Sequence, residues 1–247
     1  MKILYIDIET SPVRALTWGA YDQNILHIEE DWRVIGFAYA WGDGKPKAVY
    51  PRAWDHWHLS PEHRDDLEKG VIAQAQKLLD QADVVIAHNG DRFDLTKLMT
   101  KFIMFGIDPP SPYLTIDTLK MARRTFRFTK NTLDHLGHAL GFEGKIQIPM
   151  MQLQKAIMYD VDKKAWDAMR KYNIRDIVLL RDCYKEMAPY DRKLPNLGDG
   201  DGCHQCGSYD LQKRGIRRMK SGLERQQFQC NDCGAYSSAL KNGAIRS

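Results

Sequence analysis

The chain has 247 residues, 43% hydrophobic and 28% charged, a composition expected of a soluble protein with one α/β core of about 150–200 residues plus a small accessory module. No apolar run approaches the ~18 residues needed to cross a bilayer, and Asp7 interrupts the N-terminal apolar run too early for a secretory signal, so a cytoplasmic location is expected. The net charge of +4 is local: residues 201–247 hold 8 Lys/Arg and 4 Asp/Glu, and taking these from the totals of 36 and 32 leaves 28 of each sign in residues 1–200.

Residues 2–8 form a β-rich run that is apolar on both faces, which predicts a central strand. Residues 34–41 and 47–50 predict two further strands joined at Gly42-Asp43-Gly44. Trp54-Asp55-His56-Trp57-His58 reads as a loop folded over the core, with stacking on bases as its alternative. Ser60-Pro61-Glu62 is a helix start, with Ser as N-cap and Pro at the first helical position. Leu67, Val71, Ile72, Ala75, Leu78, Leu79 and Ala82 then recur at helical spacing.

A buried strand is predicted at Val84–Ala87, then a helix with the stripe Leu95, Leu98, Met99, Phe102 and Ile103. A short strand near Tyr113–Ile116 precedes a helical region over 131–140, where His135 and His138 are read as surface or packing residues. Asp117, between them, is read as an active-site neighbour or simply as the cap of the helix after the strand. A long helix is predicted from about Asp162 to Met187, with Cys183 as a core thiol. Three strands in a meander, then alternating helix and strand, then a closing helix fit a mixed sheet flanked by helices. Two Pro and three Gly among polar residues mark 189–202 as a linker.

Three acidic elements stand out on this scaffold. Asp7 and Glu9 are two apart on a strand and leave the same face. Each raises the other's pKa unless a cation offsets the repulsion; the ordinary reading is a strand end emerging into solvent. Asp94 follows a strand end and a tight turn, where α/β sheets place ligands; its ordinary reading is an N-cap. Tyr172 and Asp176 are i and i+4 on the long helix, on a face that Met169, Leu180 and Cys183 turn inward. A buried aspartate needs a partner, and an arginine would be the ordinary one.

Asp7-x-Glu9, Asn89…Phe93-Asp94 and Tyr172…Asp176, in this order, resemble the three motifs of the DEDD exonuclease superfamily over about residues 1–188. Lys171 stands where a histidine branch would carry His, so the resemblance is to the tyrosine branch. It implies an RNase H-like mixed sheet, two Mg²⁺ or Mn²⁺ ions and 3′-to-5′ hydrolysis of phosphodiester bonds. Asp7 would bridge both ions, Glu9 and Asp176 would hold the nucleophile-side ion, and Asp94 would support the other. The Tyr172 hydroxyl would orient the attacking water. The resemblance also implies substrate contacts at Thr10, Asn89 and Phe93, with Asn89 shaping the turn. Carboxylate oxygens are the hard ligands such ions prefer.

Arg123–Lys130 interleaves bases with aromatics, as single-strand grooves do, which nominates Arg127 and Lys130 for substrate. The alternative is a solvated helix end with Phe126 and Phe128 tucked into the core.

Cys203-x-x-Cys206 and Cys230-x-x-Cys233 are separated by 23 residues, positions 207–229. In a reducing compartment two such pairs predict one tetrahedral structural Zn²⁺ rather than disulfides, and His204 is not expected to ligate. The segment resembles zinc ribbons of nucleic-acid enzymes, especially at Phe228–Gly234. Its basic run Lys213–Lys220, with Arg214, Arg217 and Arg218, is expected to hold nucleic-acid backbone.

The expected organisation is an exonuclease domain over 1–188, a linker over 189–202 and a zinc ribbon over 203–247. The expected substrate is single-stranded DNA, ahead of RNA, in replication, repair or recombination, and a protein partner from replication or recombination is a further expectation. The alternatives are an RNA 3′-processing exonuclease, a structure-selective endonuclease of the same fold, or a non-catalytic nucleic-acid-binding adaptor.

Overall fold

The computed structural model describes residues 1–19, 21, 24–51, 60–160, 162–191, 193–195, 197 and 201–240. Trp54–His58 lies outside them. The central sheet has five strands in the order β5-β4-β1-β6-β7: β1 (Ile3–Thr10), β4 (Val34–Trp41), β5 (Lys47–Val49), β6 (Val84–Ala87) and β7 (Leu114–Asp117). Strands β1, β4 and β5 form the antiparallel meander, and β6 and β7 add in parallel.

Period-2 alternation splits β1 between two cores. Leu4, Ile6 and Ile8 pack with the buried faces of α1 (Pro61–Asp80) and α2 (Asp94–Phe105). Tyr5, on the opposite face, packs with Leu179, Leu180, Cys183 and Tyr184 of the long helix α6 (Lys163–Met187). Asp7 and Glu9 share the parity of Tyr5, so the same alternation that builds the core aims both carboxylates at α6. Helices α3 (Thr118–Thr125) and α4 (Leu133–Ala139) complete that layer, contributing Met121, Ala122, Leu133 and Leu136. The α1 start is as expected: the Ser60 hydroxyl accepts from His63 N, and Pro61 opens the helix.

Several elements were not foreseen. A two-stranded pair, β2 (Arg14–Leu16) and β3 (His27–Glu30), follows the first acidic motif; such short strands leave no periodicity to read. Helix α3 occupies part of the basic–aromatic stretch, its start capped by Asp117, whose Oδ1 accepts from Leu119 N and Lys120 N. Helix α5 (Met150–Lys155) and a π-helical turn (Ala156–Asp160) precede α6.

The C-terminal module is a three-stranded antiparallel sheet, β8 (Leu211–Arg218), β9 (Glu224–Cys230) and β10 (Tyr236–Leu240), with β9 central. Among the described residues its buried apolar cluster is Cys203, Cys230 and Ala235, flanked by Leu211 and Cys233. So small a core supplies little folding energy of its own.

Candidate active site

One ligand oxygen from each of Asp7, Glu9 and Asp176 lies within 4.8 Å of the others. The sheet supplies the first two, and α6, packed beside α3 and α4, supplies the third. Asp176 is 1% exposed, whereas Asp7 and Glu9 are half-buried. Asp94 stands outside that trio. It is the first residue of α2, but it does not cap its own helix in the expected way: its Oδ1 accepts from Ile8 N at 2.9 Å, tying α2 to β1 between the two acidic strand residues.

The electrostatics are those of a site short of positive charge. Burial, reinforced by the charges of Asp94, Glu9 and Asp176, raises the Asp7 pKa well above the carboxylate range. Burial and then Asp176 push Glu9 up to about 8. Burial also raises Asp94 to about 7, and it raises Asp176 despite a nearby lysine. Like charges in a desolvated pocket oppose one another's ionisation, and added cations reverse this.

Lys145 is the cation the sequence reading missed. Its Nζ lies 2.5 Å from Asp176 Oδ2 and donates to the Tyr172 hydroxyl at 3.3 Å. Burial opposes its charge, but Asp176 and Asp7 more than offset this and raise its pKa. The loop carrying it is pinned from two sides: Lys145 N donates to Asp134 Oδ1 at 2.7 Å, and Arg175 Nε donates to Gly144 O at 3.3 Å. Lysine in an irregular loop has no periodic signal, so only the packing of that loop on α6 identifies it. The expected arginine partner of Asp176 is therefore replaced by this lysine.

Asn173 was missed as well. It is fully buried, its Nδ2 donates to Asp7 Oδ2 at 2.6 Å, and its Oδ1 accepts from the Tyr50 hydroxyl. Its position inside Tyr172–Asp176 could have flagged it, since a buried amide beside an acidic motif needs partners.

Asn89 shapes the turn after β6. It is the one non-glycine residue at positive φ (64°) among those described, and its N–H donates to Asp117 Oδ1 at 2.9 Å. Phe93 is exposed at the α2 N-terminus, under the Lys97 ammonium. Thr10, at an irregularity of the β1–β4 pairing, accepts at its carbonyl from Gln154 Nε2.

Phe126 and Phe128 pack against the core, Arg124 pairs with Asp191, and the Arg127 guanidinium turns to the carbonyls of Arg123 and Phe126. Lys130 is exposed. His135 is half-buried and His138 exposed beside Asp134.

Whether the acidic trio suits divalent cations follows from its atoms. Four carboxylates face one lysine, and Asp176 Oδ1 is buried with no hydrogen-bond partner among the described residues. An orphaned buried carboxylate oxygen among hard oxygen donors fits an ion such as Mg²⁺ or Mn²⁺.

The four ribbon thiols also converge, with all sulfurs within 4.8 Å of one another. Cys203 Sγ lies 3.6 Å from Cys233 Sγ, and Cys206 Sγ 3.6 Å from Cys230 Sγ. That is far beyond a disulfide bond and close to the ~3.8 Å edge of a sulfur tetrahedron built on Zn–S bonds of ~2.3 Å. Gly207 and Gly234, each one residue past a Cys-x-x-Cys pair, have φ of 77° and 73°. Their N–H groups donate to Cys203 O and Cys230 O, closing two equivalent knuckles. His204 is not part of the cluster. Arg214 bonds Gln229, and Arg217 and Arg218 are exposed on β8, the edge strand.

Among solved structures, the chain is similar to the family B DNA polymerase from the hyperthermophilic archaeon Pyrobaculum calidifontis, at 16% identity with a TM-score of 0.52. The likeness covers 76% of this chain but only 25% of the polymerase, and at that identity it speaks for the fold alone. No curated protein matches the sequence. No helix among the described residues is long and apolar enough to cross a membrane. The RNase H superfamily profile matches residues 4–188, three quarters of the chain, and with the mixed sheet and acidic cluster just described the chain belongs to the RNase H superfamily.

Proposed function

We propose that the protein is a divalent-metal-dependent 3′-to-5′ exonuclease of the tyrosine DEDD type, acting on single-stranded DNA. The observation that carries this reading is the meeting of Asp7, Glu9 and Asp176 within 4.8 Å, with the Tyr172 hydroxyl joined to Asp176 through Lys145. Residues 1–188 would form the nuclease domain, 189–202 the linker and 203–247 a zinc ribbon.

Asp7, Glu9 and Asp176 would hold Mg²⁺ or Mn²⁺, with Asp94 supporting a second ion. Bound there, two such ions supply a nucleophile from water and neutralise charge on the leaving oxygen. The chain's own groups set the geometry. Asn173 fixes the Asp7 carboxylate, and the Asp94 bond to Ile8 N fixes the register between α2 and β1. Burial, aided by Asp176, pushes the Tyr172 phenol up to about 12. It therefore keeps its proton near neutral pH and serves to orient water by hydrogen bonding rather than as a base. Lys145, a permanent cation at the edge of the trio, would steady Asp176 and draw the phosphate towards it.

The test is digestion of 5′-labelled single-stranded DNA and RNA with Mg²⁺, with Mn²⁺ or with neither. A ladder shortening from the 3′ end in a metal-dependent way is expected, faster on DNA. Internal cuts would favour the endonuclease reading, faster RNA trimming the RNA-processing one, and binding without cleavage the adaptor.

A further inference from the structure

The inference that follows rests on the nuclease reading but concerns a different part of the molecule. A cleft of about 2010 Å³ opens between the zinc-ribbon sheet and the far end of the core, where β1 begins and α6 ends. It lies away from the carboxylates. From Asp176 to Tyr184 on its wall is eight residues of α6, about 12 Å at ~1.5 Å per residue. From Asp7 to Ile3, also on its wall, is four residues of β1, about 13 Å at ~3.3 Å per residue.

The ribbon wall is one face of its sheet. The register pairs Arg217 with Arg225, Gln227 with Ser238, and Gln229 with Tyr236. All six line the cleft, so one face carries two guanidinium groups, two amides, a hydroxyl and a phenol. The opposite wall presents Tyr190, 69% exposed, and Lys193, beyond the end of α6. The ribbon is held close there: Leu197, buried in the core cluster, donates its N–H to His204 O.

Charge decides what the cleft suits. Six Lys/Arg and four Asp/Glu line it. Of the acids, Asp43 is bound by Lys185 and Asp191 by Arg124, which lies outside the lining. Lys193, Arg217, Arg218 and Lys220 face it without an acidic partner among the described residues. Unpaired cations on both walls match a phosphate chain, and exposed Tyr190 and Tyr236 offer ring faces for unpaired bases. We propose that this cleft is a second nucleic-acid site, an anchor that holds a single strand at a distance from the carboxylates. Its charge and aromatics come from both walls, so binding requires the ribbon and the core together.

The test is equilibrium binding of a fluorescent 20-nucleotide single-stranded DNA to the full zinc-loaded chain without Mg²⁺ or Mn²⁺, measured from 50 to 200 mM salt. Three variants are compared with wild type: Arg217→Gln/Lys220→Gln on the ribbon wall, and Lys193→Gln and Tyr190→Ala on the core wall. Each single-strand phosphate contact contributes about 0.7 to the log–log salt slope. The ribbon double variant is expected to lower the slope by about 1.4 and Lys193→Gln by about 0.7. Wild type would then lose about sevenfold more affinity than the double variant over that fourfold salt range. Tyr190→Ala should weaken binding at least about fivefold with the slope unchanged, as loss of stacking predicts. Unchanged binding in both core-wall variants, or equally tight binding of a blunt duplex, would overturn the cleft as a single-strand site. A chain that binds as expected but cleaves nothing would remove the nuclease reading and leave the anchor standing. Cleavage with unchanged slopes would do the reverse.

Discussion

The Lys145 ammonium sits 2.5 Å from the Asp176 carboxylate, at the edge of three converging acids. Without bound metal it is the charge nearest to neutralising the pocket. Lys145→Gln leaves Asp176 buried without a cation, a change on the scale of breaking a buried ion pair, about 3 kcal/mol. Thermal unfolding without divalent ions should show a midpoint lower by several degrees, and the deficit should shrink when Mn²⁺ is added. An equal deficit with and without Mn²⁺ would mean that the lysine and the metal do not share the site.

Replacing Asp7 or Asp176 with Asn keeps the shape and removes a charge. Cleavage should fall at least about 10²–10³-fold, the scale of losing one preorganised electrostatic group. The metal-free Asp7→Asn variant should be no less stable than wild type at pH 8, because like-charge repulsion is relieved, whereas Asp176→Asn also strips Lys145 of its partner and should melt lower. Circular dichroism melts beside single-turnover rates would separate this from misfolding.

Tyr172→Phe deletes a hydroxyl that positions and does not ionise. The rate should drop about 10- to 100-fold, as when a supporting hydrogen bond is lost. Metal affinity from calorimetry should stay near wild type. A steep new pH dependence in the wild type that vanished in the Phe variant would show the tyrosine acting as a base instead.

The site makes the metal-free protein sensitive to alkali. Glu9 at about 8 and Asp94 at about 7 lie above the ordinary carboxylate range. Between that range and those values the folded protein binds protons the unfolded chain has already released, so stability falls as pH rises through the window. Melting midpoints without divalent ions should therefore decline from pH 5 to pH 8.5. Mg²⁺ should restore more at pH 8.5 than at pH 5, because its ligands must be deprotonated. A flat pH profile would refute this.

The ribbon is expected to depend on its metal. Cys230→Ser should release zinc, read by a colorimetric chelator, and melt β8–β10. The core should keep its cooperative transition, since the sheet and its flanking helices bury their own clusters. Loss of the core transition together with the zinc would show the two parts to be one folding unit.

Much of this was legible in the chain alone because it is periodic or local. The unbroken apolar run of residues 2–8 marks a buried strand, and helical spacing through Leu67–Ala82 reflects side chains repeating every 3.6 residues. Tyr172 and Asp176 share a face for the same reason, and Cys-x-x-Cys-Gly closes its own knuckle. The short β2–β3 pair, α3 and the π-helical turn were not legible, because each is too brief to repeat.

What only the tertiary structure decided is which lone side chains meet. Lys145 comes to Asp176 from a loop 31 positions away in sequence, and Asn173 bonds an aspartate 166 positions away. Asp94 spends an oxygen on Ile8 N instead of capping its own helix. The Arg127 guanidinium turns back to local carbonyls, while β8 and Tyr190 line a common cleft. The sequence determined the residue types and local geometry. The contacts required the chain to close on itself, because burial and charge at each of these groups come from neighbours remote along the chain.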